Sequence, residues 1–207
     1  MIRLSGLALI AVALLGIARD SSAASIVYTA VLTGPNESPP NTSTATGFAE
    51  VDFDPATFMM HVHATFSGIT SLTTASHIHT PTPAPFSGTA GVATTTPSFP
   101  GFPLGVASGT FDNTFDMSLS SSYNPSFVAM FPGTGQAQVL AAEAAFAAGL
   151  AANEAYFNIH SNQFPGGEIR GFLTAVPEPA GVLLLGSGIL GVVLYGYRKG
   201  ARTPAAG

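Results

Sequence analysis

The chain has 207 residues, a formal net charge of −5 and no cysteine. Without cysteine there is neither a disulfide frame nor a thiolate metal site. Between Ser25 and Val176 the only Lys or Arg is Arg170, against nine Asp and Glu. That surface repels a phosphate backbone and excludes nucleic-acid binding.

Met1 to Ala24 reads as a secretory signal peptide: Arg3 opens it, Leu4 to Ala18 is apolar, and Ser22-Ala23-Ala24 offers a small-residue cleavage site. An uncleaved anchor is the alternative, but the apolar run is short for a bilayer span. Ser25 to Thr33 is rich in β-branched and aromatic residues and predicts a strand. Gly34 to Pro40 predicts a loop, because Gly and Pro do not continue a ladder. Thr46 to Asp54 alternates, with Ala49, Val51 and Phe53 on the core face. Thr57 to Phe66 returns, with Met60, Val62 and Ala64 inward and His61 and His63 outward.

Ser76 to Thr80 predicts another strand, with Ile78 opposite His77 and His79. The Pro-rich stretch from Pro81 to Pro103 is too long for an idle connection and predicts cover for an edge or a site, with a short strand near Val92. Gly105 to Asp112 and Asp116 to Ser120 read as a hairpin. Gln136 to Ala152 is Ala-rich and predicts the one helix, with Val139, Phe146 and Leu150 near one face and Asn153 at its end.

Tyr156 to Phe172 predicts the closing hairpin. One face carries Tyr156, Asn158, His160, Glu168, Arg170 and Phe172; the pairing expected is His160 with Glu168, Asn158 with Arg170, and Tyr156 with Phe172. This is the densest polar group in the chain. Short strands, Gly/Pro-rich turns and one helix together predict an all-β antiparallel sandwich, immunoglobulin-like or superoxide-dismutase-like, over residues 25–175. After it, Ala180 to Tyr197 is apolar, spans about 27 Å as a helix and predicts a transmembrane segment, with Arg198 and Lys199 as the cytoplasmic stop.

Two resemblances rest on these residues. Val176-Pro177-Glu178-Pro179, the apolar run and Arg198-Lys199 resemble a PEP-CTERM sorting signal over 176–202. The resemblance implies a bacterial exported protein that an exosortase processes near Pro177, Glu178 and Pro179 and passes to the cell surface or matrix. The domain resembles the CHRD family in AVLTGPNESPP, ATGFAEVDFD, SGI…ASHIHT and AYFNIHSNQFPGGEIRGFL. That resemblance implies a β-sandwich without established enzymatic activity, and it falls on Glu37, Pro39, Pro40, His77, His79, Asn158, His160, Gly167, Glu168, Arg170 and Gly171.

The chemistry leaves two readings open. His77 and His79, at i and i+2, share a strand face and with His160 make a three-nitrogen set suited to copper or zinc, as metal-binding protein or metal-dependent enzyme. Alternatively these rings only hydrogen-bond to carbonyls or to Glu168. Asn158, Glu168 and Arg170 read as a structural polar cluster, with Glu168 as the cation's neighbour; a catalytic reading makes Glu168 a base and Arg170 an anion clamp. The preferred expectation is a non-catalytic surface module with the membrane, an exosortase and an extracellular polysaccharide or surface protein as partners.

Overall fold

Alternation decides which side chains these strands bury, and the computed structural model describes the outcome for residues 25–177. β1 (Ile26–Thr33) pairs antiparallel with β2 (Thr46–Asp54) from Ile26↔Phe53 to Thr33↔Thr46. β2 pairs in turn with β3 (Met59–Ser67), where the Asp54 carboxylate accepts from the Ala56 and Thr57 amides and closes the turn. Ala49, Val51 and Phe53 of β2 and Met60, Val62, Ala64 and Phe66 of β3 are buried, as the period of two requires.

β4 (Thr73–His79) pairs with β6 (Tyr156–Ser161), and β6 with β7 (Ile169–Phe172). The expected hairpin between Gly105 and Ser120 is absent. Gly109–Asp116 is a single strand, β5, matched to β3 along its length from Met59↔Asp116 to Phe66↔Gly109. Asp112-Asn113-Thr114 has turn composition, but the β3 edge supplies a continuous partner and tertiary pairing overrides local preference. The turn comes at Asp116, whose carboxylate accepts from the Ser118 amide and hydroxyl.

The sandwich expectation is also corrected. The strands form one curled antiparallel sheet, a half-barrel, in the order β4-β6-β7-β1-β2-β3-β5. β1 joins the halves: Thr33 pairs with Arg170 of β7, while Tyr28 and Thr29 pair with β8 (Thr174–Ala175). The crossing needs a glycine, because a Cβ on Gly171 would run into the Val31 carbonyl. Alternation reports which face of a strand is buried, and is silent on whether its edges join one sheet or two.

Leu32, Phe53, Phe157, Ile159, Ile169 and Leu173 fill the inside of the curl. Phe99, from the long segment after β4, stacks 5.8 Å from Phe157 and 5.8 Å from Phe111. Two helices complete the cover: a single turn, α1 (Pro125–Val128), capped by Asn124, and α2 (Gly135–Ala151). Val139, Ala142, Glu143, Phe146, Gly149 and Leu150 form the buried stripe of α2, one helical face. Phe146 sets its ring edge-on to Phe53 at 6.2 Å. The helix ends as expected, with Asn153 in the left-handed region at φ 58°.

Among the described residues no helix is long and apolar enough to cross a membrane. The transmembrane helix expected over 180–197 therefore finds no support, and that segment lies outside the described residues, as do the 1–24 leader and Glu178, Pro179, Arg198 and Lys199. The chain divides into two units between Val176 and Pro177.

The packing of α2 predicts unequal costs for two truncations on one helix. Phe146→Ala, fully buried, should cost about 3–5 kcal/mol, whereas Leu140→Ala, 37% exposed, should cost well under that. Urea unfolding of both variants measures the difference; equal midpoints would refute the helix's role in the core.

Candidate functional site

Every residue of β6 is buried, on both faces. Phe157 and Ile159 point into the core; Tyr156, Asn158 and His160 point outward and are covered by loops instead of solvent. The expected register holds for Asn158↔Arg170 and Tyr156↔Phe172. On the other side of β6, His77 pairs with Asn158 and His79 with Tyr156. The outer face of β4-β6-β7 therefore gathers His77, His79 and His160 with Asn158, Tyr156 and Arg170.

The three histidines converge: one nitrogen from each lies within 4.8 Å of the others. The loops orient the rings through the opposite nitrogen. His77 Nδ1 donates to the Pro97 carbonyl at 3.0 Å, His79 Nδ1 to Ala90 at 2.8 Å and His160 Nδ1 to Pro165 at 2.9 Å. A carbonyl oxygen only accepts, so each Nδ1 holds the proton and a neutral ring presents a lone pair at Nε2. His77 Nε2 and His160 Nε2 stand 2.9 Å apart, and His79 Nε2 is buried with no hydrogen-bond partner. Two lone pairs at that separation repel unless a proton or a cation stands between them.

Burial makes the proton costly. It pushes His77 down to about 3, helped by His79 and His160, and His79 down to about 4, opposed by the Ala90 carbonyl. His160 is lowered by burial as well. The Pro-rich segment, expected to cover an edge or a site, lies against these rings: Ala90 and Pro97 both belong to it, and Val92 bridges to His79. Residues that hydrogen-bond through main-chain carbonyls leave no trace in side-chain pattern, so sequence reasoning had no signal for Ala90, Pro97 or Pro165.

Arg170 and Glu168 do not sit together as expected. The Glu168 carboxylate is fully buried beside Ser43 and Thr70, accepting from the Ser43 hydroxyl at 2.7 Å and from the Thr70 amide and hydroxyl at 2.9 and 2.8 Å. Burial raises its pKa, but bonds from Ser161, Ser43 and Thr70 outweigh that and leave it lowered. Glu168 precedes β7, so strand alternation does not govern where it points. Arg170 instead donates to the Asn36 and Gly88 carbonyls and stands 3.9 Å from Glu37.

Burial pushes Glu37 up to about 7, against the pull of Arg170. Gly167, at φ 131°, makes room for it: a Cβ there would lie 2.6 Å from Glu37 Oε1 and 2.8 Å from Asn158 Nδ2. Above Arg170 the stack continues inward, with its guanidinium 4.6 Å from the Tyr156 ring centre and that ring 4.5 Å from His79, nearly parallel at 10°. His61 and His63 lie elsewhere, on the outer face of β3, each 3.0 Å from one oxygen of Asp112. They flank one carboxylate on a solvated face, as expected, and do not join the converging set.

The CHRD domain profile matches residues 28–173, more than half of the chain. No curated protein and no solved structure matches it.

The cluster and the ion pair each predict a measurement. Unfolded imidazoles titrate near 6.5 and the folded ones far lower, so as pH falls the unfolded chain takes up protons that the folded chain refuses. Stability of the metal-free protein should therefore fall from pH 6.5 towards pH 4. Glu37 works in the opposite sense between 7 and 4.5, one proton against the two that His77 and His79 refuse. Urea midpoints at several pH values check the sign, and a midpoint that rises on acidification would refute neutral, buried rings. Arg170→Ala should cost about 1–3 kcal/mol, by leaving the Asn36 and Gly88 carbonyls without their donor and Glu37 without its cation. Arg170→Lys should recover only part, since an ammonium lacks the planar fork. A wild-type midpoint in Arg170→Ala would overturn this account of the pair.

Proposed function

The chain belongs to the CHRD domain family, and on that premise we propose that it is an exported bacterial surface module, without turnover, that holds copper or zinc between His77, His79 and His160. One observation carries the metal reading: three Nδ1–H groups are tied to carbonyls, and the opposite nitrogens converge without partners enough to satisfy them. Metal-ligating histidines are held this way, with the second nitrogen donating to a carbonyl or carboxylate that fixes ring and tautomer. A purely structural trio has no need to aim its lone pairs at one another.

Export and sorting rest on sequence. The apolar Leu4–Ala18 run with Ser22-Ala23-Ala24 supports secretion. Val176-Pro177-Glu178-Pro179 with Arg198 and Lys199 further on supports PEP-CTERM sorting by an exosortase to the surface or matrix, where a polysaccharide or surface protein is the neighbour. The absence of cysteine suits a site built from imidazole alone, since no thiol is present to be oxidised outside the cell.

Protein recovered from the native surface tests both halves. Its intact mass should match a chain that begins at Ala24 or Ser25 and lacks Arg198 to Gly207, and metal analysis should find equimolar copper or zinc. After chelation, returning the metal should raise the Tm through binding to the folded state, and His79→Ala should lose that gain. An unchanged Tm in the wild type would refute the site; a surface form that retains Arg198 to Gly207 would refute the sorting.

A further inference from the structure

We infer that the three-histidine site is built for monovalent copper in preference to divalent ions. The inference rests on the metal reading above and adds a charge state to it.

The donors are the starting point. All three are neutral imidazoles, and among the described residues no carboxylate joins them. A cation that enters keeps its whole charge, in a place where each ring is less than a tenth exposed. The penalty for burying a charge grows with its square, so a divalent ion bears about four times that of a monovalent one. Sites for divalent ions commonly offset this with anionic ligands. The buried carboxylates of the layer lie outside the converging set: Glu168 accepts from Ser43 and Thr70 through one oxygen, and Glu37 stands beside Arg170.

Arg170 adds to the preference. Its guanidinium lies 4.6 Å from the Tyr156 ring centre and Tyr156 stacks on His79, so its positive charge repels a cation held on that imidazole. A metal ion on His79 meets the same repulsion, and a second unit of charge doubles it. Glu37 offsets the guanidinium only in part, because it stands 3.9 Å away and burial favours its protonated form.

Coordination points the same way. Structural zinc is four-coordinate and tetrahedral, so three rings leave zinc a fourth position for water to fill in this buried place, and divalent copper favours tetragonal arrangements. The three rings are pinned at Nδ1 by the carbonyls of Pro97, Ala90 and Pro165 and form a three-nitrogen set that no fourth side-chain donor joins among the described residues. Monovalent copper is a closed-shell ion that accepts low coordination numbers and binds imidazole well.

The experiment is a set of competition titrations on the full chain at neutral pH under argon. Cu(I) is supplied against bicinchoninate and Zn(II) against a fluorescent chelator, and the potential of the bound copper couple is read by redox titration. The expected result is Cu(I) held at least about tenfold more tightly than Zn(II), with a potential above that of the aqueous couple. Zinc bound as tightly as Cu(I), or a lower potential, overturns this inference and leaves the metal site standing. Binding of neither ion overturns the metal reading itself. Glu37→Gln removes the counter-charge from Arg170 and should widen the gap between the two metals; a gap that narrows overturns the part assigned to Arg170.

Discussion

Three main-chain carbonyls set the character of this domain. By accepting the Nδ1 protons of His77, His79 and His160 they dictate the tautomer of each ring, and so leave Nε2 lone pairs facing inward. The 2.9 Å approach of His77 Nε2 to His160 Nε2 follows from that arrangement. It is unfavourable for bare neutral rings and becomes favourable once a cation is shared.

The fold supplies the rigidity this needs. β4 and β6 place the three rings by register: Ala75 opposite His160, His77 opposite Asn158, His79 opposite Tyr156. The inner face of the same strands is anchored by Ile78, Phe157 and Ile159, all fully buried. The carbonyls come from elsewhere, from the long segment after β4 and the β6–β7 loop. That segment is itself pinned by Phe99, whose ring packs among Phe111, Phe115 and Phe157. A core aromatic and a site carbonyl therefore lie two residues apart on one piece of chain, and core packing governs the site's geometry.

A second polar layer divides its carboxylates by environment. Glu168 receives hydroxyls and an amide and stays ionised; Glu37 receives little besides Arg170, and burial drives it towards the neutral form. Each closes a different seam. Glu168 ties the segment before β7 to Ser43 and Thr70, while Arg170, from within β7, ties the sheet to Asn36 and Gly88. The lone basic residue of the domain is thus committed to holding two covering loops, which leaves none for recognising anions at its surface.

Composition and period, read from the sequence alone, determined which faces are buried: Ala49-Val51-Phe53, the alternating β3, the Val139-Phe146-Leu150 stripe of α2 and the mixed hairpin of β6 and β7. Those are local properties, fixed by side-chain spacing of two or 3.6 residues. The CHRD resemblance, resting on sequence motifs, agreed with the family match and already pointed to His77, His79, His160 and Arg170. Tertiary structure alone decided the rest. It joined the strands through β1 into one sheet where two were expected, ran β5 straight through a turn-like sequence, and gave Arg170 to Glu37 instead of Glu168. It also turned three histidines into a converging set by means of carbonyls that carry no sequence signature. Edge pairing and loop placement depend on contacts between residues far apart in the chain, and a one-dimensional pattern does not encode which distant backbone groups will meet.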